Sequence, residues 1–216
     1  MFLPFPRALF LAALAVGAIA AESPAPLPPL HADFTGRLSL PTISGFPPLA
    51  WRFAAQPTAP HSLAITATGT APGLSLRVEL TPAVGSTAGT WRLVRAEIDG
   101  AMWWRLAADQ AGAGAKSLPP DFEFTGAVTV DGSGTWRGAD FSGSLHLVLA
   151  EATARSAAQN WSAAGIALDA VIELSPDRPT ARSVQLRMAT MQFAGIGAQK
   201  LVLTAEGAEG GRLAVT

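Results

Sequence analysis

Between Phe122 and Leu149 the chain reads FEFTGAVTVDGSGTWRGADFSGSLHLVL, with apolar residues recurring at every second position. Phe122, Phe124, Gly126, Val128 and Val130 share one parity, opposed by Glu123, Thr125, Thr129 and Asp131. Phe141, Gly143, Leu145, Leu147 and Leu149 repeat the pattern, opposed by Ser142, Ser144 and His146. Successive side chains of a strand point to opposite faces, so each half lays its apolar groups on one side of a sheet. Asp131-Gly132-Ser133-Gly134 tolerates positive φ, which predicts a hairpin turn between the halves.

The same phrase recurs along the chain. Phe34-Thr35-Gly36-Arg37-Leu38, Phe124-Thr125-Gly126-Ala127-Val128 and Phe141-Ser142-Gly143-Ser144-Leu145 are variants of one unit. Gly-Thr-Trp-Arg occurs at 89–92 and again at 134–137, which points to an internal duplication within one sheet. Further one-faced strands read as Leu49, Trp51, Phe53; Leu63, Ile65, Ala67; and Leu74, Leu76, Val78, Leu80. A helix needs apolar groups three and four apart, and the last of these does not supply them. Asp99-Gly100 reads as another hairpin, and residues 111–120 (AGAGAKSLPP) as the main break between two comparable halves. Residues 150–164 are Ala-rich, with Glu151, Arg155 and Gln159 at four-residue spacing, and read as a short surface helix or an irregular edge segment. Strands resume at Ile166–Leu174, Val184–Met188, Met191–Phe193 and Leu201–Ala205, and a last one starts at Leu213.

Before the strands, Arg7 precedes an apolar run, Ala8 to Ala20, that ends in Ala18-Ile19-Ala20. A positive residue, a short apolar stretch and a small-x-small site predict a signal peptide over 1–20, cleaved after Ala20 or retained as an anchor. Residues 21–33 are a Pro-rich spacer, and 34–216 are expected to form a single all-β domain. These features place the protein outside the cytoplasm, in the periplasm or cell envelope. The net charge of −1 gives no electrostatic basis for nucleic-acid binding. Cysteine is absent, which removes disulfides, thiolate nucleophiles and Cys-based zinc sites.

No catalytic constellation assembles from the sequence. His31, His61 and His146 have no partner at metal-ligand spacing, so no metal or cofactor is expected. The pairs Asp121/Glu123 and Asp131/Asp140 lie at strand ends or turns, where acidic residues are ordinary. Trp51, Trp91 and Trp104 share the parity of large apolar neighbours and read as core, whereas Trp103 must face the other way.

One-faced strands with little helix must bury that face, either against a second sheet in a sandwich or barrel, or by curling into a trough. Small inward residues such as Gly36, Ala67, Gly126, Gly143 and Ala170 favour a strongly curved interior. Ala164-Gly165-Ile166-Ala167-Leu168-Asp169-Ala170-Val171-Ile172-Glu173-Leu174 and Phe193-Ala194-Gly195-Ile196-Gly197-Ala198-Gln199-Lys200-Leu201-Val202-Leu203 show short alternating strands with Gly-led phrases. In this style, clearest over 122–216, the chain resembles the AsmA-like, YdbH-type proteins of the bacterial envelope, which are typically much longer. The resemblance implies a long curled antiparallel sheet whose greasy groove conducts phospholipid, with no catalytic residues. It leads to an expectation of a non-enzymatic protein that binds lipid acyl chains, with a membrane or envelope protein as a further partner. The apolar face assigned to that role is Phe122, Phe124, Val128, Val130, Phe141, Leu145, Leu147 and Leu149. The alternative is an envelope binding module in which Trp103 contacts a glycan or protein.

Overall fold

A computed structural model describes residues 34–38, 48–59, 62–83, 86–102, 121–177, 179–208 and 212–215. The signal-like run, the spacer, the whole of the break, and Trp103 and Trp104 lie outside the described residues. Eleven strands follow one another: β1 (Phe34–Leu38), β2 (Leu49–Ala59), β3 (Ser62–Ala71), β4 (Leu74–Pro82), β5 (Ala88–Asp99), β6 (Glu123–Arg137), β7 (Asp140–Ser156), β8 (Trp161–Leu174), β9 (Thr180–Phe193), β10 (Ile196–Ala208) and β11 (Arg212–Val215). They form one antiparallel sheet in sequence order, curled but not closed: among the described residues β1 pairs only with β2, and β11 only with β10. The expectation of a long curled all-β sheet is met.

Its inner face is a set of apolar rows that run across the strands. Leu74, Ile98, Val128, Leu149, Leu168, Leu186 and Leu203 stand opposite one another from β4 to β10. A parallel row runs Leu76, Ala96, Val130, Leu147, Ala170, Val184, Ala205. Directly opposed side chains on one face touch, and such contacts are what stabilise a sheet. The curl gathers Leu49 and Trp51 of β2 into the same core cluster as Ala163 and Ile166 of β8.

Two tryptophans fill the space left by glycines on the neighbouring strand, and a third stands opposite such a glycine. Trp51 lies opposite Gly69, and its ring carbons stand 3.2 Å from where a Cβ of Gly69 would be. The two Gly-Thr-Trp-Arg phrases pair antiparallel with each other, so Gly89 faces Trp136 and Trp91 faces Gly134. Trp136 lies over Gly89, and Trp91 reaches past Gly134 to donate its indole N–H to the Ser142 carbonyl of β7 at 3.2 Å. An aromatic ring laid over a cross-strand glycine restores the packing that the missing side chain forgoes. Here each copy of the repeated phrase supplies the glycine for the other.

This lock explains a correction. Asp131-Gly132-Ser133-Gly134 is not a turn but the interior of β6. A Cβ on Gly134 would stand 1.9 Å from the Ser142 carbonyl oxygen, so glycine is required there by close approach to β7. The hairpin closes instead at Gly138-Ala139, between the paired Arg137 and Asp140, with Gly138 at φ 58°. A two-residue turn with glycine first suits the twist of the flanking strands. Asp99-Gly100 is likewise not a hairpin: residues 100–102 begin a helical turn, and the Asp99 carboxylate caps it by accepting the Met102 N–H at 3.1 Å.

Residues 150–164 are not helical either; they are the end of β7, a turn at 157–160 and the start of β8. What hides them is a line of bulges crossing the sheet. Inner positions step by two along each strand but by three at Leu149–Ala152, Ala163–Ile166, Met188–Met191 and Ala198–Leu201. Glu151, Gly165 and Lys200 take positive φ (54°, 60° and 54°) at this line, and Gly126 of β6 (132°) opens it. An extra residue bends a strand and raises its local twist. Repeated across β7 to β10, it creases the sheet.

Candidate functional site

The inner face changes character across the sheet. From β2 to β6 it is filled: Leu49, Ile65, Leu76, Trp91, Val130 and Trp136 are all buried. Towards β10 it opens. Phe193 is 52% exposed, Ile196 76% and Leu203 45%, although Phe193 and Ile196 continue the row of Trp161, and Leu203 ends the leucine row. Leu186, Met188, Met191 and Leu201 are only half-buried beside them. The cause is positional: among the described residues Leu203 is the last member of its row, with no residue of β11 opposite it. β11 pairs only with Ala205–Ala208, so 196–204 has no outer neighbour among the described residues. Val202, 57% exposed, adds an apolar side chain to the opposite face of the same edge.

All eight residues assigned by sequence to the lipid-facing wall lie in strands β6 and β7 or at their start, and pack in or against the core clusters. Val128, Val130 and Leu149 are buried; Phe122, Phe124, Phe141, Leu145 and Leu147 are half-buried. Phe122 stacks on Trp161 with ring centroids 5.7 Å apart. They form the floor of the curl, and the uncovered strip lies beyond them on β9 and β10. Sequence reasoning placed strands at Phe193, Leu201 and Leu203 but could not rank them by exposure, because exposure depends on which strands have an outer neighbour.

The outer face is polar and charge-paired. Arg155 donates to Glu123 at 2.6 Å, Arg77 to Glu79 at 3.3 Å and Arg182 to Glu173 at 3.2 Å. Arg95 pairs with Glu97. His146 stands between two carboxylates, Nδ1 3.6 Å from Asp131 and Nε2 3.2 Å from Asp169. Asp121 secures the β7–β8 turn: its carboxylate accepts the Ala158 N–H at 2.7 Å and the Ser156 hydroxyl at 3.0 Å. The Ala158 N–H, aided by that hydroxyl against the opposing effect of desolvation, holds the Asp121 carboxyl below its usual range. Among the described residues no group of three or more His, Asp or Glu is placed to hold a metal ion. His31, His61 and the candidate platform Trp103 lie outside the described residues. Trp51, Trp91, Trp136 and Trp161 all belong to the inner face.

The geometry offers one kind of interaction at the strip: removal of apolar surface from water. Burial is worth about 25 cal/mol per Å², or about 0.8 kcal/mol for each methylene covered. A ligand that lies along β9 and β10 therefore gains in proportion to its alkyl length. Comparison with known proteins finds no matching family model, no matching curated protein and no matching solved structure.

Proposed function

We propose that this is an exported, non-enzymatic protein of the cell envelope that binds lipid acyl chains along the open strip of its curled sheet. The observation that carries the reading is the run of uncovered inner-face side chains Phe193, Ile196 and Leu203, beside a core that is filled elsewhere. An apolar strip continuous with a core, bordered by a polar outer face, is a surface that water disfavours and an alkyl chain satisfies. The one-faced strands and the signal-like N-terminal run support the same reading.

The test is native mass spectrometry with lipid extraction on chain purified from the envelope under mild conditions. Phospholipid at reproducible stoichiometry is the expected result, falling at least about tenfold in Leu203→Asp and Ile196→Asp, since a charge in the strip opposes alkyl burial. Lipid-free wild-type protein, or lipid retained equally by both variants, would overturn the proposal.

A further inference from the structure

A row of outward-facing residues crosses the sheet from β4 to β8: Glu79, Arg92, Ser133, Ser144 and Glu173, each directly opposite the next. The carboxylates at its two ends already hold arginines of their own, Arg77 on Glu79 and Arg182 on Glu173. The three residues between them are uncommitted. Among the described residues, no side-chain hydrogen bond or ion pair engages Arg92, Ser133 or Ser144.

Those three line a cavity of about 620 Å³ together with Arg95, Asp131 and His146. That volume is within the range of small-molecule sites. Its origin is a local fault in the ladder. β5 carries an extra residue, so pairing with β6 passes from Leu93↔Gly132 to Ala96↔Val130 and sets two residues, Val94 and Arg95, against Asp131. The other charges of the wall are spoken for: Arg95 by Glu97, and Asp131 by His146, which Asp169 holds from the far side. What remains is one free guanidinium and two free hydroxyls on three adjacent strands, which are spaced about 4.8 Å apart.

We propose that this outward cavity is an oxyanion site for a phosphoryl group, with Arg92 as the fork and the Ser133 and Ser144 hydroxyls as further donors. A guanidinium presents parallel N–H donors that match two phosphate oxygens, and hydroxyl donors satisfy a third. The site stands on the face opposite the acyl strip and does not depend on it. A soluble phosphate ester and a lipid phosphate headgroup share this chemistry.

The experiment is a titration of the full chain with inorganic phosphate, followed by calorimetry and by amide shifts of β5 to β7. Saturable binding at millimolar phosphate is expected, weakened at least about tenfold by Arg92→Ala and by less in Arg92→Lys, which keeps the charge but loses the fork. Arg77→Ala lies outside the cavity, yet it is expected to weaken binding, because a released Glu79 captures Arg92. Arg187→Ala, remote on β9, leaves binding unchanged. Urea unfolding of each variant separates loss of the site from loss of the fold. A second arm uses phosphatidic acid vesicles: binding that inorganic phosphate displaces assigns the site to a headgroup, and phosphate binding without vesicle binding assigns it to a soluble ester. No saturable phosphate binding, or equal binding by wild type and Arg92→Ala, overturns the proposal.

Discussion

Replacing Gly89 by alanine should damage this fold more than the same change at any open turn. A Cβ there would stand 2.3 Å from Cζ2 of Trp136 and 2.5 Å from the Thr81 carbonyl oxygen, both well inside contact distance. Trp136 is buried and the Thr81 oxygen belongs to the β4–β5 ladder, so neither yields freely. Swinging the indole out would expose on the order of 200 Å², about 5 kcal/mol, which sets an upper bound. A partial shift that shares the strain costs less, so the expected loss is about 2–4 kcal/mol. The assay is urea unfolding of four proteins: wild type, Gly89→Ala, Trp136→Ala and the double variant. If Trp136 is the main obstacle, Gly89→Ala should cost only about 1 kcal/mol in the Trp136→Ala background, the remainder being the Thr81 contact. Equal costs in both backgrounds would refute the interlocked Trp–Gly pairs as the reason for glycine at this position.

Other perturbations read different parts of the sheet. Trp91→Phe removes the indole donor to the Ser142 carbonyl while keeping an aromatic ring in the buried position, and should lower stability by about 1 kcal/mol in urea. Glu151 is exposed at φ 54°, so Glu151→Gly relieves a left-handed residue and should raise stability by up to about 1 kcal/mol, measured the same way; a loss would contradict the strained bulge. Asp121 has a folded-state pKa below its unfolded value of 3.8, so its contribution is full above that value and is lost as pH falls through the folded one. Unfolding midpoints measured against pH should therefore fall more steeply on the acid side in wild type than in Asp121→Asn.

The sequence made most strands of the sheet legible, because simple alternation survives wherever a strand is regular. Leu74 to Leu80 and Phe122 to Val130 alternate cleanly, and both are strands with their large residues on the inner face. It misled where two structural demands used the same residue type. Glycines 132 and 134 resemble turn residues, yet they are kept free of side chains by Ser144, Leu145 and Ser142 of β7. The Ala-rich stretch after Leu149 lost its two-residue rhythm to the bulge and imitated helical spacing. The uncovered apolar strip on β9 and β10 was half legible. Its side chains were visible as strand residues, but their exposure arises from the end of the sheet, which no local pattern encodes. The proposed phosphoryl site was not legible at all, since Arg92, Ser133 and Ser144 meet only through the pairing of three strands.

The crease also limits how such a chain can change by insertion and deletion. β8 stays in one register with β9 across that line, and β9 with β10, because each strand carries the same extra residue. Removing it from β9 alone would turn Met191 and Phe193 outward while leaving Leu186 and Met188 inward, and would put half of that strand out of step with both neighbours. Length changes at the crease are tolerable only when they are shared by the whole set of strands. Elsewhere, at turns such as Ala194-Gly195, they concern one hairpin. The line of bulges therefore ties four segments, each separate in sequence, into one heritable unit.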